Sequence, residues 1–364
     1  MASPASPAAT TPALAPVRVL VTGGSGFLGT YIVEQLLADA STSVAIVSRS
    51  PKPPTDDARL SIHAADIASE AQLQAVFDQV QPQCVIHTAS PHHFDSATVL
   101  ARTNIEGTKL LLKCAQACPV TRAFVYTSSD SAIAPTTVPL TEAEATLYNQ
   151  VEKEDAKHHV TPYGRSKAVA DAAVLAANGE ELSTAVIRLP AIYGERDPNF
   201  IPQLVASVRN KEHKMQVGAN VKLFEFVYVA KAAEAHVLAA RALMDPRKAP
   251  NVAGEAFFIS DGRPEPFFDF ARRCYAAMGN PVAPSDVTII PMPAMRVIAS
   301  AGEWAYKILT LGTKTPKVRR EGIDHLDRGA CWSIDKAKQR LGYEPVTDQD
   351  AAIKKSMDWA EVNL

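Results

Sequence analysis

Short apolar runs alternate with segments whose apolar positions recur every three or four residues, and this alternation organises the first half of the 364-residue chain. Val17-Arg18-Val19-Leu20-Val21-Thr22 is a β-branched run of strand type. It passes through a glycine-rich stretch into Tyr31-Ile32-Val33-Glu34-Gln35-Leu36-Leu37, whose spacing predicts a helix. Further strand-like runs lie at 43–48, 60–63, 83–88, 122–128 and 184–190, with helical patterns over 69–80, 100–118 and 165–178. Strands alternating with helices in this way predict an α/β fold built on a doubly wound parallel sheet, because parallel neighbours need a crossover connection. From about residue 193 the pattern becomes irregular and proline-rich, as expected of a smaller, mostly helical C-terminal lobe. The expected organisation is a disordered leader over 1–16, a sheet domain over 17–192, and a lobe over 193–364 that sends some segments back to the sheet domain.

The turn after the first strand adds chemistry to this outline. Gly23-Gly24-Ser25-Gly26-Phe27-Leu28-Gly29 sits between strand and helix. There Gly23, Gly26 and Gly29 allow a tight turn and close backbone approach, while the helix start at Phe27 and Leu28 offers free N–H groups to a pyrophosphate. Residues 17–192 therefore read as an NAD(P)-binding Rossmann domain. In such sheets ligands sit outside the carboxyl ends of the strands, and Gly23, Ala89, Ser90, Ser129 and Pro190 fall at such ends. After the second strand, where a carboxylate would bind the ribose of NAD, the chain carries Ser48-Arg49-Ser50. A guanidinium flanked by hydroxyls suits a 2′-phosphate, so NADP is the expected cofactor and NAD the other choice. Asp66 and Ile67, past the third strand, are expected at the adenine end.

Composition narrows the class of protein. With 47% hydrophobic residues, the chain can bury a large core, and a net charge of −2 gives no field for nucleic acid. Five cysteines, at 84, 114, 118, 274 and 331, form an odd set without metal-ligand spacing. Cys114 and Cys118, one helical turn apart, are expected to pack in a helix, and a reducing, cytoplasmic setting follows. Residues 1–16 are uncharged and rich in Ala, Pro, Ser and Thr, unlike a signal peptide. No apolar run reaches the roughly 18 to 20 residues needed to span a bilayer. The stretch from Ile289 to Leu311 is mostly apolar, with Trp304 and Tyr306, but is interrupted by Arg296, Glu303 and Lys307. Two expectations follow: a helix covering the second lobe, or a lid in peripheral contact with endoplasmic reticulum or lipid-droplet surfaces. The other expected partners are a small hydrophobic substrate and a second copy of the chain.

The catalytic candidates are Ser129, Tyr163 and Lys167. On a helix, Tyr163 and Lys167 share a face one turn apart, so an ammonium can favour the phenolate of a phenol whose ordinary pKa is near 10. Lys167 would also bond the nicotinamide ribose, placing Tyr163 and Lys167 among the cofactor-binding residues. Ser129 would hold the substrate oxygen while Tyr163 moves its proton; Ser128 is the competing hydroxyl. His92 and His93 are adjacent on an extended segment, where side chains point opposite ways, so they are expected to edge a pocket and no metal is expected. His158 and His159 are read in the same way, and Glu152, Glu154 and Asp155 as a solvated face.

These motifs resemble the extended short-chain dehydrogenase/reductase superfamily: Thr22 to Gly29, Val85-Ile86-His87-Thr88-Ala89-Ser90-Pro91, Asn104-Ile105-Glu106-Gly107-Thr108, Val125 to Ser129, and Tyr163 to Lys167. Arg188-Leu189-Pro190-Ala191-Ile192-Tyr193-Gly194 and Gly254 to Gly262 with Pro266 to Phe270 resemble its 3β-hydroxysteroid dehydrogenase branch. Within that branch the pattern is similar to the fungal-type sterol-4α-carboxylate 3-dehydrogenases (decarboxylating). The likeness runs from about residue 17 to the end. It implies Pro190 and Ile192 beside the cofactor, and oxidation of the 3β-hydroxyl of a 4-carboxysterol-like steroid or terpenoid with loss of CO2. Members serving sterol synthesis often carry an acid where Ser48-Arg49 stands here, which keeps open NADPH-dependent reduction of a fungal secondary metabolite ketone. A non-redox lyase, cyclase or nucleotide-binding regulator is the alternative of another class, since a fold does not fix a function.

Overall fold

The computed structural model describes residues 17–136, 138–150, 160–310 and 319–364. The proposed leader, His158, His159, Glu152, Glu154, Asp155 and Leu311 lie outside them. Seven strands, β1 (Val17–Thr22), β2 (Thr42–Ser48), β3 (Leu60–Ala64), β4 (Cys84–His87), β5 (Ala123–Ser129), β6 (Ser183–Leu189) and, much later, β11 (Glu255–Phe258), form one sheet. Its order is β11-β6-β5-β4-β1-β2-β3 and every pairing is parallel. Between β6 and β11 come β7 (Ala191–Tyr193), β8 (Met215–Val217), β9 (Leu223–Phe224) and β10 (Phe226–Tyr228); β12 (Glu265–Pro266) and β13 (Thr288–Ile290) follow. These short strands pair outside the main sheet, β10 with β7, β12 with β9 and β13 with β8.

The helices in chain order are α1 (Phe27–Leu37), α2 (Glu70–Val80), α3 (Ala97–Leu100), α4 (Thr108–Ala117), α5 (Pro162–Ala176), α6 (Phe200–Arg209), α7 (Val229–Met244), α8 (Phe267–Ala277), α9 (Met292–Leu309), α10 (Arg320–Leu326), α11 (Asp335–Leu341) and α12 (Gln349–Asn363). Strand periodicity explains the two cores. Val19, Val21, Val44 and Ile46 face one side, with Ile32, Val33 and Leu36 of α1, whereas Leu20, Ala45 and Val47 face the other, with Leu73 and Phe77 of α2. Both faces are covered, so the strands read as continuous apolar runs rather than alternating ones. The order reverses between β1 and β4, and strands run outward from there in both directions. That reversal opens a crevice at the carboxyl ends.

The irregular second half contributes to the sheet layers. β11 adds the seventh strand beside β6, and α7 packs on α1, with Gln35 Nε2 donating to Ala230 O at 2.8 Å. A buried pair, Arg188 to Asp171 at 2.9 and 3.0 Å, fastens β6 to α5. Removing one partner of such a pair costs about 3–5 kcal/mol, because the other charge is left alone. Two local expectations are altered. The helix expected over 100–118 contains a π-helical stretch, Ala101–Gly107, between α3 and α4. The apolar stretch from Ile289 is a strand first, β13, and a helix, α9, only from Met292.

Candidate active site

The glycine turn fits a pyrophosphate by exclusion of side chains. Gly23 has φ +72°, and a Cβ there would lie 2.8 Å from Thr88 Oγ1 and 2.9 Å from Ala89 N. One at Gly29 would lie 2.1 Å from Gly23 O. Gly26 precedes α1 without a side-chain cap, so the N–H groups of Phe27 and Leu28 have no helical partner and suit an anion. Ala89 follows β4 next to this turn, its N–H 3.4 Å from Thr22 Oγ1. Pro190, buried, and Ile192, half-buried in β7, follow β6 at the same edge of the sheet.

Beyond the turn lies a polar rim. Ser48 ends β2, Arg49 is exposed, and the chain after them is clasped to the turn: Ser25 Oγ donates to Lys52 O at 2.7 Å and accepts from Lys52 N at 2.9 Å. Asp66 pairs with Arg102 at 2.6 Å and accepts from Ala68 N at 2.9 Å. Burial raises the Asp66 carboxyl, yet the Ala68 N–H, Arg102 and Arg49 together hold it below the usual carboxylate range. Ile67 turns its side chain into the core, 3.0 Å from where a Cβ of Gly107 would stand, so its main chain is what remains to meet a nucleotide.

At the inner end, α5 starts in a way that brings Tyr163 to β5. Thr161 Oγ1 accepts from Gly164 N at 2.9 Å and Pro162 occupies the first turn. A Cβ on Gly164 would lie 2.4 Å from Ser131 O, so only glycine permits this approach. The Ser129 and Ser90 hydroxyls are near enough to act on the Tyr163 hydroxyl, while Ser129 Oγ itself donates to Asp130 Oδ1 at 3.3 Å and accepts from Ser131 N at 3.1 Å. Ser129, not Ser128, is brought to Tyr163; Ser128 Oγ is buried without a hydrogen-bond partner among the described residues. Burial pushes the Tyr163 phenol up to about 12, with Asp130 also raising it and the two serines opposing.

Lys167 lies one turn on, buried, with Nζ donating to Thr127 O at 2.9 Å and 4.9 Å from the centre of the Tyr126 ring. Burial lowers its amine to about 7, against the pull of Asp171. The ammonium is thus turned to a strand carbonyl, where the sequence suggested a direct hold on the phenolate. Asn104, in the π-helical stretch, donates to Ser166 Oγ at 2.9 Å, and Ser166 donates to Tyr163 O at 2.8 Å. This buried chain braces the first turn of α5. His87, between Thr22 Oγ1 at 2.6 Å and Thr108 Oγ1 at 2.9 Å, braces β1 against α4 and is driven down to about 3 by burial and by Lys167.

The histidine pair departs from expectation. Residues 92–95 form a turn, closed by Asp95 N donating to His92 O at 2.9 Å and fixed by His92 N donating to Asp95 Oδ2 at 3.0 Å, so the His92 and His93 rings lie 4.3 Å apart instead of on opposite sides. His93 stands edge-on to Tyr163 at 6.2 Å between ring centres. Among the described residues no group of three or more His, Cys, Asp or Glu side chains is placed to hold a metal. All five cysteines are buried and free.

Residues 20–288 match the model of the 3-beta hydroxysteroid dehydrogenase/isomerase family. The chain belongs to that family. It is an NAD(P)-dependent oxidoreductase on the extended short-chain dehydrogenase/reductase fold. A sterol-4-alpha-carboxylate 3-dehydrogenase, decarboxylating, of Gibberella zeae is 53% identical over 293 residues, covering 80% of this chain and 96% of the relative. Its counterpart in Schizosaccharomyces pombe is 30% identical over 350 residues, covering 95% and 98%. Among solved structures, UDP-glucose 4-epimerase of Thermotoga maritima superposes with a TM-score of 0.70 at 21% identity, covering 95% of this chain and 99% of that one. The dTDP-glucose 4,6-dehydratase of Bacillus anthracis, in complex with NAD, gives 0.71 at 17%, covering 95% and 97%. At these identities the two enzymes speak for the fold alone.

Proposed function

We propose that this family member oxidises the 3β-hydroxyl of a 4α-carboxysterol, with loss of CO2. The observation that carries the chemistry is the meeting of Ser129 and Tyr163 hydroxyls above a buried Lys167, at the edge of the sheet where the glycine turn would hold a dinucleotide. Bound there, the nicotinamide supplies the hydride acceptor. Ser129 holds the substrate hydroxyl, and Tyr163 takes its proton at Oη. The Lys167 charge, one helical turn below, lessens the cost of the phenolate that burial imposes. Once C3 is a carbonyl, the C4–carboxylate bond breaks and its electron pair is delocalised into that carbonyl. Tyr163 Oη then returns its proton to the enolate oxygen, while Ser129 holds the same oxygen in place.

Arg49 supports NADP as the cofactor, with the Ser48 and Ser50 hydroxyls beside it and Lys52 drawn to the same turn. The exposed apolar side chains of α9, Val297, Ile298, Trp304, Ile308 and Leu309, support a resting place on a lipid surface from which a sterol is taken. No helix of the described residues is long and apolar enough to cross a membrane. The test is turnover with a 4α-carboxysterol and NADP⁺ or NAD⁺, following reduced nicotinamide and released CO2 together. Equal amounts of both support the reading; reduction of aryl or polyketide ketones by NADPH without sterol turnover replaces it by the ketoreductase reading. Vesicle flotation of the protein, with and without V297D/I308D, tests the α9 surface.

A further inference from the structure

A guanidinium that makes no salt bridge among the described residues sits one peptide unit from Ser129. Arg328, which follows α10, places Nη2 3.1 Å from Asp130 O and 2.5 Å from Ile133 O, two main-chain carbonyls that bond a guanidinium without neutralising it. Its Nε is buried and has no hydrogen-bond partner among the described residues. The carboxyl that faces it, Asp130, is biased toward its neutral form by burial, although Arg328 and the serines at 129 and 131 oppose that shift. Burying a charge is costly unless something of opposite sign meets it.

Two imidazoles, both pushed down to about 4 chiefly by burial and so neutral N–H donors, lie between this guanidinium and Tyr163. His325, in the last turn of α10, feels both Arg328 and His93, and its ring lies 5.2 Å from Phe224. His93 stands edge-on to Tyr163 and lies near Arg319, whose guanidinium caps the Phe94 ring at 4.1 Å. Asp95 and His92 complete the titratable groups acting on His93. Two segments more than two hundred residues apart in sequence thus meet on the His93 side of the Tyr163 ring, bringing two neutral imidazoles and the Arg319 and Arg328 guanidiniums, and among the described residues the carboxyls acting on them are Asp95 and Asp130.

We propose that Arg328, with His325 and His93, is the anion-reading wall of this site, receiving the carboxylate on the carbon next to the one that is oxidised. The inference rests on the sterol-acid reading above and adds to it the groups that select the acid. Holding the carboxylate across from the reacting oxygen orients the C4 bond for cleavage, and an acid gains from the wall what a neutral sterol cannot.

The measurement is kcat/KM for a 4α-carboxysterol and for its methyl ester, in wild type, Arg328→Gln, Arg328→Lys and His325→Gln, with NADP⁺ affinity and melting temperature measured alongside. The wild type is expected to favour the acid. Arg328→Gln should lower the acid-to-ester ratio at least about 30-fold, the size expected for losing one partner of a buried charge pair, Arg328→Lys should recover part of it, and His325→Gln should lower it less. Acid and ester falling in parallel in every variant that retains cofactor affinity overturns the wall and leaves the sterol reading standing. An equal preference in the wild type for acid and ester overturns it independently, even where a variant fails to fold. Wild-type protein inert toward both sterols overturns the sterol reading and the wall together.

Discussion

The two ends of the dinucleotide crevice are built on opposite electrostatic terms. At the inner end Tyr163 and Lys167 are enclosed, and burial moves both from their ordinary values, the phenol up to about 12 and the amine down to about 7. At the outer rim Arg49 is exposed, and Asp66 is half-buried and paired with Arg102. In a low-dielectric pocket a single charge changes a pKa by units; on a wet rim the same charge is screened. Chemistry therefore belongs to the inner end, and cofactor choice, a weaker discrimination, to the outer.

The largest effects should come from the inner end. Tyr163→Phe removes the proton acceptor and is expected to lower kcat by about 10³-fold, with NADP⁺ affinity little changed when titrated by fluorescence. Retained turnover in that variant would refute the proton-transfer role. Lys167→Met should lower kcat by about 10²-fold and also weaken cofactor binding, which separates it from Tyr163→Phe. Gly164→Ala comes next. Its new methyl must push α5 away from Ser131 O, now 2.4 Å from where it would stand, and displace Tyr163 from Ser129. A shift on the order of 1 Å can cost about 10²-fold in rate, and steady-state kinetics beside a circular dichroism spectrum would separate displacement from unfolding.

How legible each end was depended on how local its cause is. The glycine turn and the Tyr163/Lys167 spacing announce themselves within a dozen residues, since strand, turn and helix periodicities meet there. Arg49 could be placed from its distance past the turn. What sequence could not give were the contacts made across the fold. The π-helical stretch that seats Asn104 under Ser166 leaves no pattern of its own, and the clearance needed at Gly164 is set by Ser131, thirty-three positions earlier. The His92 and His93 rings were misjudged because a turn, pinned by Asp95, replaced the extended segment on which the alternation argument rests. Arg328 carries no motif; it meets Asp130 only because the second half of the chain folds back over the strand ends.

At the outer rim, Arg49→Ala should lower the NADP⁺-to-NAD⁺ preference by about tenfold, the value of one charge-assisted contact discounted for exposure. The kcat with saturating cofactor should stay nearly constant, because the rim does not touch the reacting atoms. Ratios of kcat/KM for the two cofactors decide this. An unchanged ratio would mean that Arg49 is a solvated loop charge and that the contrast between the two ends needs another residue, with Lys52 the first to examine.

The smallest effect is on stability, and it sharpens the contrast because no catalysis is involved. In the cofactor-free fold Lys167 has its amine lowered to about 7 from the ordinary 10.5, chiefly by burial. Below pH 7 both folded and unfolded chains hold the proton, and the folded one bears the full cost of a buried ammonium. Between about 7 and 10.5 the unfolded chain binds more protons than the folded one, so stability rises with pH through that window. Lys167→Met removes the cost at every pH. The variant's gain over wild type in urea denaturation should therefore be greatest below pH 7 and shrink steadily toward pH 10. Arg49→Ala, at the wet rim, should show no such slope. A constant difference for Lys167→Met across this range would mean that its amine titrates as if in water, and the inner end would lose its claim to be electrostatically distinct from the outer.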